Sequence, residues 1–194
     1  MGKFTFQLIV NLSKVCTWVE NWRLREHRAL AQQELDAFIA ARPLEGIPAE
    51  LSNRGFEWRR DPAGGMLDFV SEPWATWYKK TFDCDDAARL WLYCAQKKGV
   101  TTGYPGPCCV SAVRLKWFQK PGGHAVFIAP CSRGFTVFSN LNIFAPLEFP
   151  TIESIANRFV AGWTNIFFYD QNLKIARVID SQANSRTTPA DLAM

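Results

Sequence analysis

The chain has 194 residues, a formal net charge of +4, and a composition that is 48% hydrophobic and 21% charged. Eight Trp and fifteen Phe exclude a disordered chain, because each buried aromatic offsets much of the entropy lost on ordering. The charge lacks the basic stripe of a nucleic-acid binder, and no apolar run reaches the roughly 18 to 20 residues of a bilayer span. Neither nucleic acid nor membrane is expected as a partner.

Phe4 to Val10 is a short apolar run behind Lys3 with no small-residue cleavage site after it, so no secretory signal is expected. Residues 13 to 42 read as helical. Ser13 suits an N-cap, Val15, Trp18, Val19 and Trp22 share one face, and Leu35, Phe38 and Ile39 continue the spacing until Pro43 forces an end near Ala41. Arg23, Arg25 and Arg28 in its middle read as a solvated face. Pro43 to Arg54 carries Pro, Gly, Ser and Asn and reads as a linker. This places an N-terminal helical extension at 1–45 and the main domain at 46–194.

Residues 55 to 82 read as irregular structure packed by aromatics. Asp83 to Lys98 is the clearest helix: Cys84, Ala87, Ala88, Trp91, Leu92 and Ala95 form a buried stripe. Asp83 suits the N-cap, acidic residues fill the first turn, Lys97 and Lys98 the last, and Gly99 stops it. Gly103 to Pro107 is a turn. Strands follow at about 109–118, 124–129 and 135–140, separated by 119–123 and 130–134. Thr151 to Ala161 is an amphipathic helix with Ile152, Ile155, Ala156, Phe159 and Val160 inward. A hairpin of Asn165–Asp170 and Leu173–Ile179 turns at Gln171-Asn172.

Six cysteines (Cys16, Cys84, Cys94, Cys108, Cys109, Cys131) stand at irregular spacings and read mostly as free thiols of a reducing cytoplasm. Cys108, Cys109 and Cys131 with His124 offer four metal-ligating groups, but adjacent cysteines rarely close a tetrahedral site and the spacing fits no zinc pattern. No metal or cofactor is expected.

Cys84 is the exception among the thiols. It opens a helix, whose unpaired amides favour a thiolate and are able to hold an oxyanion. Asp83, Asp85 and Asp86 oppose that effect, so an imidazolium partner is required. His27 and His124 are the only histidines, and His27 lies in the Arg-rich helical stretch. His124 begins the apolar strand Ala125 to Ala129, a rigid mount for a base. A hairpin turn centred on Ser132 puts His124 opposite Asn140, where directly opposed Cβ atoms lie about 4.5–5.5 Å apart and the Asn amide oxygen accepts a ring N–H. Asn142 is the diagonal alternative and Asp170 a more distant one. Cys84, His124 and Asn140 are thus the candidate nucleophile, base and orienter.

Phe82-Asp83-Cys84-Asp85-Asp86-Ala87-Ala88 resembles the nucleophile motif of bacterial and phage transglutaminase-like cysteine peptidases. Gly123-His124-Ala125-Val126 resembles their histidine strand, and Phe138-Ser139-Asn140 occupies the place of the third member. Phe56-Glu57-Trp58, Asp61-Pro62-Ala63-Gly64-Gly65 and Trp74 look like the segment before the cysteine in phage relatives, so the similarity covers roughly residues 55 to 145. Many members carry Asp where this chain has Asn140. The resemblance implies an α+β, papain-like fold with the Cys helix packed on an antiparallel sheet. It implies a cysteine hydrolase acting on an amide or isopeptide bond of a peptide, protein or peptidoglycan-type substrate through a thioester. It also implies location in the host-cell cytoplasm or in a virion. The rival expectation is a virion or assembly protein that reuses the fold with little or no catalysis.

Overall fold

The computed structural model describes residues 15–60, 70–100, 109–113, 123–145, 148–160, 162–163, 165–169 and 175–180. The turn expected at Gly103–Pro107, the segment Asp61–Gly65, the turn at Gln171-Asn172 and the strand continuation over 114–118 lie outside the described residues. The described elements make an α+β protein, and its contacts divide it into two units, Met1–Lys98 and Gly99–Met194.

The first unit is helical. Helix α1 runs over residues 15–23. A 3₁₀ turn at Arg25–His27 separates it from α2 (Arg28–Ala40), so the helix expected over 13–42 is two helices. No Gly or Pro marks this break. The turn presents the His27 ring to Tyr78, on which it stacks with centroids 4.3 Å apart. Helix α2 buries Ala31, Leu35, Phe38 and Ile39. It lies on α4 (Pro73–Lys79) and α5 (Cys84–Lys97), with the Phe38 and Trp77 rings 4.8 Å apart. Each large side chain so buried contributes about 1.5–3 kcal/mol, which ties the N-terminal helices firmly to the segment carrying Cys84.

Two segments read as irregular are helical. The stretch Pro43 to Arg54 contains α3 (Ile47–Asn53), with Leu44, Ile47 and Leu51 buried along one side. It therefore packs into the first unit, and the division falls at Lys98/Gly99 whereas the sequence places a boundary near 45. Helix α4 begins at Pro73, whose fixed φ suits a first turn, and it ends at Lys80 in the left-handed region with φ +57°. Strands β1 (Glu57–Trp58) and β2 (Thr81–Phe82) pair in parallel just before α5.

Helix α1 is inverted relative to the usual amphipathic arrangement. Its polar side faces the unit: Thr17 is buried, and the Glu20 carboxylate accepts from Ser71 Oγ and Lys79 Nζ, each at 2.9 Å. Val15, Trp18, Val19 and Trp22, correctly expected on one face, are the exposed side, with Trp18 at 65%.

In the second unit, strands β3 (Cys109–Val113), β4 (Ala125–Cys131), β5 (Gly134–Ser139), β6 (Asn142–Phe144), β7 (Asn165–Tyr169) and β8 (Ile175–Asp180) form one sheet. Its order is β6-β5-β4-β3-β7-β8, with every neighbouring pair antiparallel. Helix α6 (Ile152–Phe159) covers one face. Its Ile152, Ile155 and Ala156 pack with Val126, Ile128, Phe135, Val137, Ile166, Phe168 and Ile179. A capping box at Thr151 and Ser154 starts this helix.

The register of β4 and β5 differs by one residue from the expected pairing. Cys131 pairs with Gly134, so the turn is the two residues Ser132-Arg133 and its centre falls between them. Gly134, at φ +136°, supplies the backbone conformation that this closure needs. Phe127 accordingly faces Phe138, and continuing the ladder puts Val126 across from Ser139. Because side chains alternate along a strand, a shift of one residue changes which of two neighbours shares a face. Ser139, not Asn140, lies on the face of His124.

Candidate functional site

Cys84 is the first residue of α5, as expected, and is half-buried. Asp83 is the N-cap. Its backbone is extended, and its side-chain oxygen accepts from the Asp86 amide at 3.4 Å. The strand β2 delivers the chain into this cap: Phe82 is buried, and its carbonyl accepts from the Arg59 amide at 2.8 Å. Beyond the first turn, Ala87, Ala88, Trp91, Cys94 and Ala95 are buried, so the helix is held along the stripe that the sequence displays. Leu92, expected in that stripe, is only half-buried, and Leu90 is buried instead.

The Asp86 side chain is buried in the first turn of α5. The Ser71 amide donates to its Oδ1 at 2.6 Å, and Lys79 Nζ stands 3.9 Å from its Oδ2. Burial pushes this carboxyl up to about 7, opposed by Lys79 and reinforced by the neighbouring Asp83 charge. Lys79 also donates to Ser71 Oγ at 2.8 Å and to Glu20. Arg89 donates to the carbonyls of Val70 and Ser71 and forms an ion pair with Glu72 at 2.8 Å. The strap Val70–Glu72 is thereby fixed to the first two turns of α5. In the sequence Asp86 stands only as a charge near the thiol. Its buried, strap-holding role depends on contacts 15 residues away, at Ser71.

Among the described residues, Asp83, Asp85 and Asp86 form the acidic group compact enough for a cation, with donor atoms within 4.8 Å of one another. Asp83 Oδ1 caps the helix and Asp86 Oδ1 accepts from Ser71, so these oxygens already hold the fold. In the second unit, Cys131 closes the far end of β4, seven residues from His124, which is roughly 23 Å at strand rise. That separation is incompatible with the two residues ligating one zinc ion.

His124 directly precedes β4 and is half-buried. Its Nε2 lies 2.7 Å from Ser139 Oγ on β5, and its ring centroid lies 5.1 Å from that of Phe159 on α6. Phe159 is itself packed among Phe144 and Phe149, at 5.6 and 6.0 Å. The ring is therefore fixed from a strand and from a helix. Asn140 lies in the two-residue turn that joins β5 to β6, with Ser139 paired to Asn142 across it, and has φ +51°. Asn tolerates that left-handed conformation better than most residues, which gives its identity a backbone reason independent of chemistry. Cys84 belongs to the first unit; His124 and Asn140 belong to the second. Ser139 was missed, and the signal that finds it is the even length of the Ser132-Arg133 loop.

Comparison of the chain with protein-family models, with curated proteins and with solved structures finds no match. No helix among the described residues is long and apolar enough to cross a membrane.

Proposed function

We propose that this protein is a thiol-dependent acyl-transfer enzyme of papain-like, transglutaminase-like type, cleaving an amide or isopeptide bond. The observation that carries the reading is Cys84 at the first position of a capped helix. A thiol there sits at the positive end of the helix and beside amides that stabilise an oxyanion. His124, held on a rigid strand end, is the base.

In this reaction Cys84 Sγ gives its proton to the His124 ring and attacks the substrate carbonyl carbon. The tetrahedral oxyanion collapses as the imidazolium protonates the leaving nitrogen, and the amine departs from a thioester. Water, losing a proton to the same ring, then attacks the thioester carbon, and the acid leaves as Cys84 regains its proton. An amine in place of water gives transfer. The substrates proposed are peptide, protein or peptidoglycan-type amides, and the setting a phage-infected or bacterial cytoplasm or a virion.

The test is a panel of peptide amides and isopeptides with intact-mass detection of the acyl-enzyme. Wild type should accumulate an adduct at Cys84 that hydroxylamine removes, and Cys84→Ala should form none and turn nothing over. Turnover surviving in Cys84→Ala would sink the proposal.

One observation favours the second reading, an assembly protein that reuses the fold. The outward stripe Val15, Trp18, Val19 and Trp22 is the kind of surface that a multi-chain particle covers. Stoichiometric recovery of the chain in a particle, with a Cys84 thiol as inert as that of Cys94, is the outcome this reading predicts.

A further inference from the structure

We infer that Ser139 is the positioning residue for His124, and that it commits the ring to act through Nδ1. The inference rests on the catalytic reading of His124 given above, but its structural half stands on the second unit alone.

The ring has two nitrogens, and Nε2 lies 2.7 Å from Ser139 Oγ. A hydroxyl either donates to or accepts from a neutral imidazole, so the distance leaves two tautomers. If Ser139 donates to Nε2, the ring proton sits on Nδ1 and neither nitrogen has a lone pair for a thiol. If Ser139 accepts from Nε2–H, the Nδ1 lone pair is the base. Only the second arrangement supports the proposed chemistry. It also survives the proton transfer: when Nδ1 takes the thiol proton, the imidazolium still donates from Nε2 to the same oxygen. The ring then needs no reorientation between acting as base and acting as acid.

The surroundings make Ser139 a rigid partner. It is 4% exposed and ends β5 before the Asn140-Leu141 turn, where its backbone pairs with Asn142 of β6 and follows Phe138, which pairs with Phe127 of β4. Phe159 from α6 restrains the ring on a second side. A neutral hydroxyl thus takes the place that the sequence assigned to Asn140, and it adds no negative charge beside the ring.

Long-range ¹H–¹⁵N correlation spectra, taken at a pH where the ring is neutral, read the tautomer directly, and with two histidines in the chain the assignment is straightforward. Wild-type His124 should be the Nε2–H form. Ser139→Ala should lose that preference, Ser139→Thr should restore it, and Asn140→Gly, which keeps the turn's positive φ accessible, should leave it unchanged. Ser139→Ala should also slow alkylation of Cys84 by roughly three- to ten-fold, the loss expected for one hydrogen bond. An Nδ1–H wild-type ring, or a tautomer that follows Asn140→Gly and ignores Ser139→Ala, overturns the inference. The tautomer decides the role of Ser139 and the absolute reactivity of Cys84 decides the catalytic reading, so failure of one is distinguishable from failure of the other.

Discussion

Asp86 sets a pH dependence that belongs to single residues. A carboxyl in the unfolded chain ionises near pH 3.9, whereas in the folded chain Asp86 is pushed up to about 7 by burial. The folded state therefore keeps a proton that the unfolded state has released over about pH 4 to 7. Its contribution to stability is fully present below about pH 4 and is lost as pH rises through 7. Asp86→Asn keeps an oxygen for the Ser71 amide and does not ionise. Its urea midpoint should change less between pH 5 and pH 8 than that of wild type, which should fall. A wild-type midpoint as flat as that of Asp86→Asn would contradict this assignment. At this scale the positions of Cys84, first in α5, and of His124, directly before β4, were legible because each adjoins an element with a strong local signature. The contact of Ser139 with His124 and the burial of Asp86 were not, because they come from register and from partners distant in the chain.

At the scale of elements, α5 was read almost to the residue, since period, cap and stop signal agree, and α6 to within two residues from its apolar period. Trp91 is 1% exposed at the centre of the α5 stripe, and Trp91→Ala should cost about 3–5 kcal/mol in chemical denaturation. Thr151→Ala removes half of the α6 capping box and should cost about 1 kcal/mol, while Thr151→Ser should restore most of it. Helix α1 makes the contrasting case. Its apolar period was visible, yet period alone does not say which side faces inward; Glu20 decides that through Ser71 and Lys79. Trp18→Ser and Trp22→Ser should therefore change the stability of the isolated chain by no more than about 0.5 kcal/mol. A loss comparable to that of Trp91→Ala would mean that the stripe is packed. Helix α3 was missed because its Pro counted with Gly, Ser and Asn as a linker signal, and α4 because its Trp-rich segment reads as irregular; in both, Pro occupies a first helical turn.

For the whole molecule, the α+β class was expected from the resemblance, and the described elements, helices first and a six-stranded antiparallel sheet after, agree with that class. The division at Lys98/Gly99 was not legible, because the segment with the linker signal near residue 45 contains a helix, α3, that buries Ile47, Pro48 and Leu51. The same division assigns the proposed nucleophile to one unit and its base to the other, so the central claim is that the two residues act as one pair. The most direct test is the rate at which iodoacetamide modifies each cysteine, followed by mass spectrometry at about pH 6 in wild type and His124→Ala. Burial pushes the Cys94 thiol up to about 12, which makes it the inert internal reference. The account predicts that Cys84 alone reacts quickly in wild type and loses that reactivity in His124→Ala. A Cys84 as slow as Cys94, or a fast Cys84 indifferent to His124→Ala, would contradict it.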